Sequence, residues 1–217
     1  MNKVVSINEI KNEFKDGMTL MIGGFLGVGT PEKIIDLLVD MNIKDLTIIA
    51  NDTSYVDRGI GRLVANGQCK KIIASHIGTN KETGKRMVEK TMDVELSPQG
   101  TLAERIRAGG CGLGGVLTKT GLGTIVAEDK DIIEIDGEKY LLEKPLKADL
   151  ALIGGNVSDE SGNTIYKGTT RNFNPLMAMA ANKVIVGAKQ IVKTGEIDPN
   201  NVITPGVLVD YIVKDGE

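Results

Sequence analysis

The sequence predicts an α/β fold over residues 1–217: one domain with a largely parallel sheet that carries an antiparallel portion. Apolar, β-branched runs alternate with helical patterns through the first half of the chain, an order typical of parallel strands joined by helices. A β-hairpin pattern follows in the second half and supplies the antiparallel portion. No linker, low-complexity segment or repeat interrupts this succession, and 217 residues suffice for one core.

The chain opens with a predicted short helix and a strand. Ser6 and Glu9 have the spacing of a capping box, which indicates a helix that Asp16-Gly17 would end. Residues 18–22 form a brief apolar run suited to a buried strand. Nothing in the opening helix suggests chemistry.

A glycine loop then links the first strand to a helix and is the strongest site candidate. Its glycines let another molecule approach the backbone closely, and the strand-loop-helix order presents free N–H groups beside the positive end of a helix. We expect Thr30 to be the N-cap and Pro31 the first helical residue. An ordinary strand-to-helix connection is the alternative. The candidate ligand-binding residues are Gly24, Phe25, Leu26, Gly27, Val28, Gly29 and Thr30.

Three more buried strands are expected over residues 45–50, 70–75 and 91–96. Asn51 and Asp52 follow the first of them, where open α/β sheets place their ligands, although a plain turn fits equally well.

Gln99 stands at the junction between the strand over residues 91–96 and the next helix. That helix should start near Thr101 and stop at Gly109-Gly110. A glutamine amide donates a hydrogen bond without titrating, which suits oxyanion stabilisation, whereas a solvated loop residue is the plainer interpretation. His76, the only histidine, has no partner at recognisable spacing.

Residues 110–115 fit the pattern G-x-G-x-x-G of dinucleotide-binding loops. Such a loop needs a strand before it and a helix after it, and here the predicted order is the reverse. A nucleotide-binding module that uses these glycines stays open as an alternative function.

The second half alternates hairpin, strand and helix patterns. Residues 132–142 form the clearest hairpin, with Asp136-Gly137 as a two-residue turn. Residues 148–155 repeat the pattern of a strand followed by glycines, residues 176–181 favour a helix and residues 183–188 a strand.

Charge and composition exclude several partners. The formal net charge is -3 and no basic stripe is present, which disfavours nucleic acid or an anionic membrane as a partner. No apolar run approaches the roughly 20 residues that span a bilayer, and no signal peptide is evident, so we expect a cytoplasmic protein. Cys69 and Cys111 cannot form a disulfide framework, and no metal site is expected from them.

Three motifs resemble one enzyme family. The string from Asp16 to Pro31 resembles, position for position, the signature of the A subunit of the 3-oxoacid CoA-transferases: Asp-Gly, two spacers, three apolar residues, Gly-Gly-Phe, three spacers, Gly, one spacer and Pro. The run Pro-Gln-Gly-Thr-Leu at residues 98–102 and the run Arg-Asn-Phe-Asn at residues 171–174 are also similar to that family. The likeness covers nearly the whole chain and is to the A subunits of butyrate-acetoacetate and acetate CoA-transferases.

The resemblance implies an open α/β/α fold and a ping-pong transfer of CoA from a short-chain acyl-CoA to a carboxylate such as acetoacetate, butyrate or acetate. CoA would then be a substrate, and no tightly bound cofactor is expected. In that family the nucleophile is a glutamate in a Ser-Glu-Asn-Gly motif of the B subunit, a motif that this sequence lacks. The resemblance therefore implies half a site, with residues 24–30 for CoA or its thioester, Gln99 for the oxyanion, and a B subunit in an A2B2 heterotetramer.

One stretch departs from the family pattern. Residues 115–121 lack the aromatic pair that family members often carry, and Lys119 replaces a proline. The choice of substrate is therefore left open. A self-sufficient enzyme of related architecture, such as a sugar-phosphate isomerase with its own acid-base pair, remains a second alternative.

Overall fold

Eight strands form one main sheet and three form a small antiparallel sheet beside it in the computed structural model, which describes residues 2–216. The strands are β1 Thr19–Ile22, β2 Leu46–Ile49, β3 Cys69–Ala74, β4 Asp93–Leu96, β5 Val116–Thr118, β6 Ile132–Ile135, β7 Glu138–Glu143, β8 Ala148–Asp159, β9 Thr164–Ile165, β10 Ala181–Val192 and β11 Tyr211–Lys214. The main sheet has the order β11-β10-β8-β1-β2-β3-β4, all parallel, with β9 antiparallel to β8. This confirms the α/β class and the largely parallel sheet.

Helices cover both faces of the main sheet and make three layers. They are α1 Glu32–Met41, α2 Gly61–Ala65, α3 Lys81–Val88, α4 Gln99–Cys111 and α5 Asn174–Met177. Short 3-10 turns lie at Lys11–Glu13, Ile125–Ala127, Gly168–Thr170, Pro199–Asn201 and Gly206–Leu208. Ile34 of α1 and Leu63 of α2 belong to the apolar core on one face, while Ile106 of α4 and Met177 of α5 belong to the core on the other. Burial of apolar side chains on both faces holds the sheet between the two helical layers.

The strand order reverses at β1, which is the feature of the fold that positions the site. From β1 the chain continues outward through β2, β3 and β4, and later returns to lay β8 and β10 on the opposite side. Open α/β sheets bind ligands at such a reversal, beyond the carboxyl ends of the strands. The glycine loop follows β1 directly and lies at this point.

The predicted opening helix is wrong, although its capping contacts form. Both the N–H and the hydroxyl of Ser6 donate to Glu9 Oε2 at 2.7 Å, and these hydrogen bonds lower the pKa of Glu9. Only turns and the 3-10 turn Lys11–Glu13 follow. The N–H groups of Glu9, Lys11 and Glu13 donate to carbonyls three residues earlier, so the segment makes 3-10 turns instead of the four-residue hydrogen bonds of an α-helix.

The predicted stop of α4 at the glycine pair is also wrong. The helix continues to Cys111 and ends at Gly112, which has a φ of 70°. Gly109 and Gly110 serve close packing instead, because a Cβ on Gly109 would lie 1.8 Å from the Leu146 carbonyl oxygen. The left-handed conformation that ends the helix falls one residue after Cys111.

In the second half of the chain, the predicted hairpin is confirmed, whereas the elements after it have other bounds than predicted. Asp136 and Gly137, with φ of 51° and 78°, form the two-residue turn between β6 and β7. Strand β8 does not end at its glycines but continues to Asp159. The helix expected over residues 176–181 ends at Met177, and β10 begins at Ala181, so residues 178–181 are not helical. A Cβ on Gly154 would lie 2.3 Å from the Gly29 carbonyl oxygen, so this glycine makes room for the glycine loop.

The two cysteines differ in environment, and we expect them to differ in reactivity. Cys69 is buried in the core, and burial raises the pKa of its thiol to about 12, whereas Cys111 is exposed. At pH 8 only about one Cys69 in ten thousand would be a thiolate. An aromatic disulfide reagent should therefore titrate one thiol in the native chain and two in urea. Two thiols of equal native reactivity would contradict the buried position of Cys69.

Candidate active site

An open cleft of about 320 Å³ lies at the carboxyl edge of the main sheet, where segments from four parts of the chain meet. We call it the Gln99 cleft. Its lining residues are Phe25, Asn51, Gln99, Thr169, Asn172 and Phe173. The structure thus brings Gln99, Asn51 and the glycine loop together, although they follow three different strands.

The glycine loop contains a tight turn. The N–H of Phe25 donates to the Val28 carbonyl at 3.0 Å, and the N–H of Val28 donates back at 2.9 Å. The two residues between them, Leu26 and Gly27, have φ of 50° and 85°. A leucine in the left-handed region is strained, and the Asp52 carboxylate helps to hold it there by accepting the Leu26 N–H at 3.1 Å. The side chains of Phe25 and Val28 remain 41% and 45% exposed.

Most of the N–H groups expected to be free in this loop have acceptors within the chain. The acceptors include the Leu152 carbonyl, the Asn172 side chain and the Asp52 side chain, all distant in sequence. Of the N–H groups in the loop over residues 23–30, only those of Gly27 and Gly29 have no acceptor among the described residues. The loop is therefore a rigid surface with two available donors, and the expectation of a row of free amides is wrong.

The start of α1 also differs from the prediction. Pro31 is the N-cap, and the Thr30 hydroxyl donates to the Gly23 carbonyl at 3.0 Å instead of capping the helix. The Lys33 N–H donates to Asp215 Oδ1 at 2.7 Å. Burial raises the pKa of Asp215, and hydrogen bonds from the backbone of this helix start offset only part of that shift. The positive end of α1 is thus occupied by the chain's own carboxylate and is not free for a ligand.

Two asparagines that no local pattern distinguishes fix the glycine loop from behind. Asn172 accepts the Gly24 N–H at 3.1 Å and donates to the Val28 carbonyl at 3.0 Å. Asn174, fully buried, donates to the Gly29 carbonyl at 3.0 Å. The only signal for them in the sequence was the family-like run at residues 171–174.

The Gln99 amide is oriented by a chain of hydrogen bonds. Gln99 is the first residue of α4, and its Nε2 donates to Asn51 Oδ1 at 2.8 Å. Asn51 Nδ2 in turn donates to Asp52 Oδ2 at 2.8 Å, and both residues are buried. Asp52 also accepts the N–H of Leu26, so the same carboxylate orients the amide chain and the glycine loop. One hydrogen of Gln99 Nε2 remains for a ligand in the cleft.

The other sequence candidates lie outside this constellation. His76 is exposed and pairs with Asp52 only through the backbone. Residues 110–115 span the end of α4 and the loop before β5, so the order of elements is wrong for a dinucleotide loop. Lys119 forms an ion pair with Glu138 and lies 5.5 Å above the ring of Tyr140, away from the Gln99 cleft.

Solved structures of CoA-transferases share this fold. The acyl-CoA transferase of Escherichia coli O157:H7 superposes with a TM-score of 0.85 at 23% identity, over 98% of this chain and 47% of that one. Glutaconate coenzyme A-transferase from Acidaminococcus fermentans gives 0.86 at 20% identity, over 98% of this chain and 75% of that one. The three-layer fold is therefore that of the CoA-transferases, and the chain spans about half the length of the acyl-CoA transferase it matches.

The chain belongs to the coenzyme A transferase family, whose model matches residues 5–215. It is 59% identical to the acetoacetyl-CoA:acetate/butyrate CoA transferase alpha subunit of Clostridium acetobutylicum, over 99% of this chain and 98% of that one. It is 51% identical to the acetate CoA-transferase subunit alpha of Escherichia coli K12, again over 99% and 98%. Within residues 2–216 no helix has the length and apolar character needed to cross a membrane.

Proposed function

We propose that this chain is the A subunit of a heteromeric CoA-transferase that moves CoA between a short-chain acyl-CoA and acetoacetate, butyrate or acetate. The observation that carries the proposal is the Gln99 amide, held by Asn51 beside the glycine loop in a chain of this family. Relatives that match over nearly their full length are named as alpha subunits. We further propose that residues 1–217 act as one transferase domain in an A2B2 complex of the cytoplasm.

The site contains a hydrogen-bond donor but, among the described residues that form it, no free carboxylate to act as nucleophile. Asp52 is 5% exposed and its oxygens accept from Asn51, Leu26 and Ser54, so it is occupied by structural contacts. A ping-pong transfer needs a carboxylate that attacks the thioester carbon. We place that carboxylate on a glutamate of a different, partner chain, in the Ser-Glu-Asn-Gly motif that this chain lacks.

In this mechanism the glutamate attacks the acyl-CoA carbonyl. The oxyanion that forms accepts a hydrogen bond from the N–H of Gln99 Nε2 that Asn51 does not use. Collapse of the oxyanion releases CoA thiolate and leaves an acyl-glutamyl anhydride. The thiolate then attacks the glutamyl carbonyl, which frees the first acid and leaves a glutamyl-CoA thioester. The second acid reverses both steps. Donors aimed at a developing oxyanion typically contribute on the order of 10² to 10³ in rate.

Residues 24–30 have the character expected of a contact for CoA or its thioester, which would be a substrate and not a tightly bound cofactor. The exposed Phe25 and Val28 side chains and the N–H groups of Gly27 and Gly29 combine apolar area with two donors. Such a surface suits the uncharged, amide-containing arm of CoA better than its phosphates. The occupied start of α1 agrees with this assignment, because a phosphate would meet the Asp215 carboxylate there.

Reconstitution tests the proposal. The chain alone should not transfer CoA from acetoacetyl-CoA to acetate, and the complex with the Ser-Glu-Asn-Gly chain encoded in the neighbouring reading frame should do so. A matched complex in which the glutamate of that motif is replaced by glutamine should assemble and be inactive. Transfer by the isolated chain would contradict the division of the site between two different chains and would favour a self-sufficient enzyme.

A further inference from the structure

The hydrogen bonds that run from Asp52 through Asn51 to Gln99 have a direction, and this direction decides which atom Gln99 presents to the cleft. An amide has a donor end and an acceptor end of nearly the same size, so its shape does not fix which end faces a neighbour. Within residues 2–216 the Gln99 side chain makes one hydrogen bond, and it is the one to Asn51. The orientation of the Gln99 amide therefore depends on that of the Asn51 amide.

The orientation of Asn51 is set by Asp52. Asn51 is 2% exposed, and its Nδ2 donates to Asp52 Oδ2 at 2.8 Å. An ionised carboxylate accepts hydrogen bonds and cannot donate one, so only the nitrogen end of Asn51 pairs with it. The oxygen end of Asn51 is then left for Gln99, whose Nε2 donates to it at 2.8 Å. The acceptor character of the carboxylate thus passes through two amides to the Gln99 cleft.

The backbone fixes the Asp52 side chain in turn. Its Oδ1 accepts the N–H of Ser54 at 2.7 Å and that of Leu26 at 3.2 Å. Its Oδ2 is the oxygen that faces Asn51. One carboxylate oxygen is therefore held by backbone donors, and the other is available to direct the Asn51 amide.

Exchanging one oxygen of Asp52 for an NH2 group should reverse every hydrogen bond in this chain. The new donor must face Asn51, because the opposite arrangement would set it 2.7 Å from the N–H of Ser54, and two facing donors leave each other unpaired. Asn51 would then turn to present its oxygen to position 52 and its nitrogen to Gln99. Gln99 would turn to accept, and its oxygen would present a lone pair where the second N–H of Nε2 had been directed.

We propose that Asp52 is a positioning residue, which gives Gln99 its donor orientation through Asn51. Asp52 does not line the Gln99 cleft and acts only by directing the two amides. The inference rests on the proposed function, because a developing oxyanion is what makes a donor in the cleft necessary. It adds that a buried acceptor outside the cleft controls whether Gln99 stabilises or repels that charge.

The test measures kcat and KM of the reconstituted complex for transfer of CoA from acetoacetyl-CoA to acetate. Asp52→Asn should lower kcat by about tenfold or more, at least as much as Gln99→Ala, because a reversed amide repels the oxyanion. The KM for acetoacetyl-CoA should change by less than about twofold. The variant that carries both substitutions should have the kcat of Gln99→Ala alone, since the amide through which Asp52 acts is then absent.

Asp159 supplies a matched control. It is 2% exposed, its Oδ1 accepts the N–H groups of Ser161 and Asn163, and its Oδ2 accepts from Asn163 Nδ2 at 2.9 Å. The same kind of donors thus surrounds both aspartates, but the chain of hydrogen bonds at Asp159 does not lead to the Gln99 cleft. Asp159→Asn should leave the kcat of the assembled complex within about twofold of the wild type.

The outcomes separate this inference from the proposed function. If the two losses in kcat multiply in the double variant, Asp52 acts independently of Gln99 and the inference is overturned. A normal kcat for Asp52→Asn beside a slow Gln99→Ala would also overturn it, while the proposed function would stand. A normal kcat for Gln99→Ala would instead remove the oxyanion role and the inference with it.

Asn51→Leu keeps the test decisive if Asp52→Asn does not assemble. Leucine has about the size of asparagine but neither amide end, so Gln99 loses its orientation while Asp52 keeps its backbone contacts. The kcat should fall by about threefold or more, and adding Gln99→Ala should give the kcat of Gln99→Ala alone. Losses that multiply in this pair would likewise overturn the inference.

Discussion

Replacing Gln99 by alanine is expected to lower the turnover number of the reconstituted complex by about tenfold or more, with assembly intact. The reason is the loss of one oriented donor, Nε2, whose second hydrogen is directed by the hydrogen bond to Asn51. In the proposed mechanism, that donor acts on a charge that exists only in the transition state and the intermediate. The effect should therefore appear in kcat, while the KM for acyl-CoA changes little.

Two further variants make this prediction sharp. Gln99→Glu has nearly the same shape but places a carboxylate where the oxyanion develops, so its loss should exceed that of Gln99→Ala. Gln190→Ala removes an exposed glutamine of β10 that does not line the cleft, and it should leave kcat unchanged. The complexes can be compared by steady-state kinetics and by size-exclusion chromatography. Near-normal turnover of Gln99→Ala would reject the oxyanion role.

Replacing Arg105 by methionine is expected to destabilise the chain by about 3 kcal/mol, the cost of removing one partner from a buried ion pair. Arg105 is 7% exposed, and its Nη1 donates to Glu95 at 2.7 Å while its Nε lies 3.7 Å from Glu143. Glu143 is 1% exposed and would keep only Lys130, at 2.6 Å. This cluster ties α4 and β4 to the small antiparallel sheet.

Arg107 of the same helix supplies the control. Its ion pair with Glu104 joins side chains that are 48% and 50% exposed, so Arg107→Met should cost less than about 1 kcal/mol. Urea unfolding of the full chain, followed by circular dichroism, measures both values. Equal costs for the two variants would show that the buried pair does not stabilise the fold.

The pH dependence of this effect has a definite sign. Burial acts to raise the pKa of Glu95, but the hydrogen bonds from Arg105 and Lys71 outweigh it and hold the pKa below the usual 4.5. A lowered pKa in the folded state stabilises the protein above the unfolded value and ceases to do so as the pH falls through the folded value. The difference between wild type and Arg105→Met should therefore shrink below about pH 4.5.

Local patterns predicted those elements whose causes are local. The hairpin follows from Asp136-Gly137, because this pair accepts the two left-handed conformations that a tight turn requires. The strand over residues 18–22 appears as β1, since a short apolar run between a turn and a glycine loop has few other solutions. The position of Gln99 at the junction between a strand and a helix followed from the same kind of pattern.

The differences come from contacts between distant parts of the chain. Nothing near Thr30 indicates that the start of α1 is occupied by Asp215, which follows the last strand. Gly109 leaves room for the Leu146 carbonyl, and no local signal distinguishes it from a glycine that ends a helix. No side chain caps the start of α4, and no sequence pattern distinguishes it from the starts of α1 and α3, which do have side-chain acceptors.

The glycine loop also has a thermodynamic consequence. Its carbonyls and amides are held by Asn172 and Asn174, and its rear face abuts Gly154 of the central sheet. A segment that is already ordered loses little conformational entropy when a ligand arrives. If residues 24–30 contact CoA as proposed, its association should resemble docking onto a preorganised template, with affinity set by shape and not by the folding of a flap.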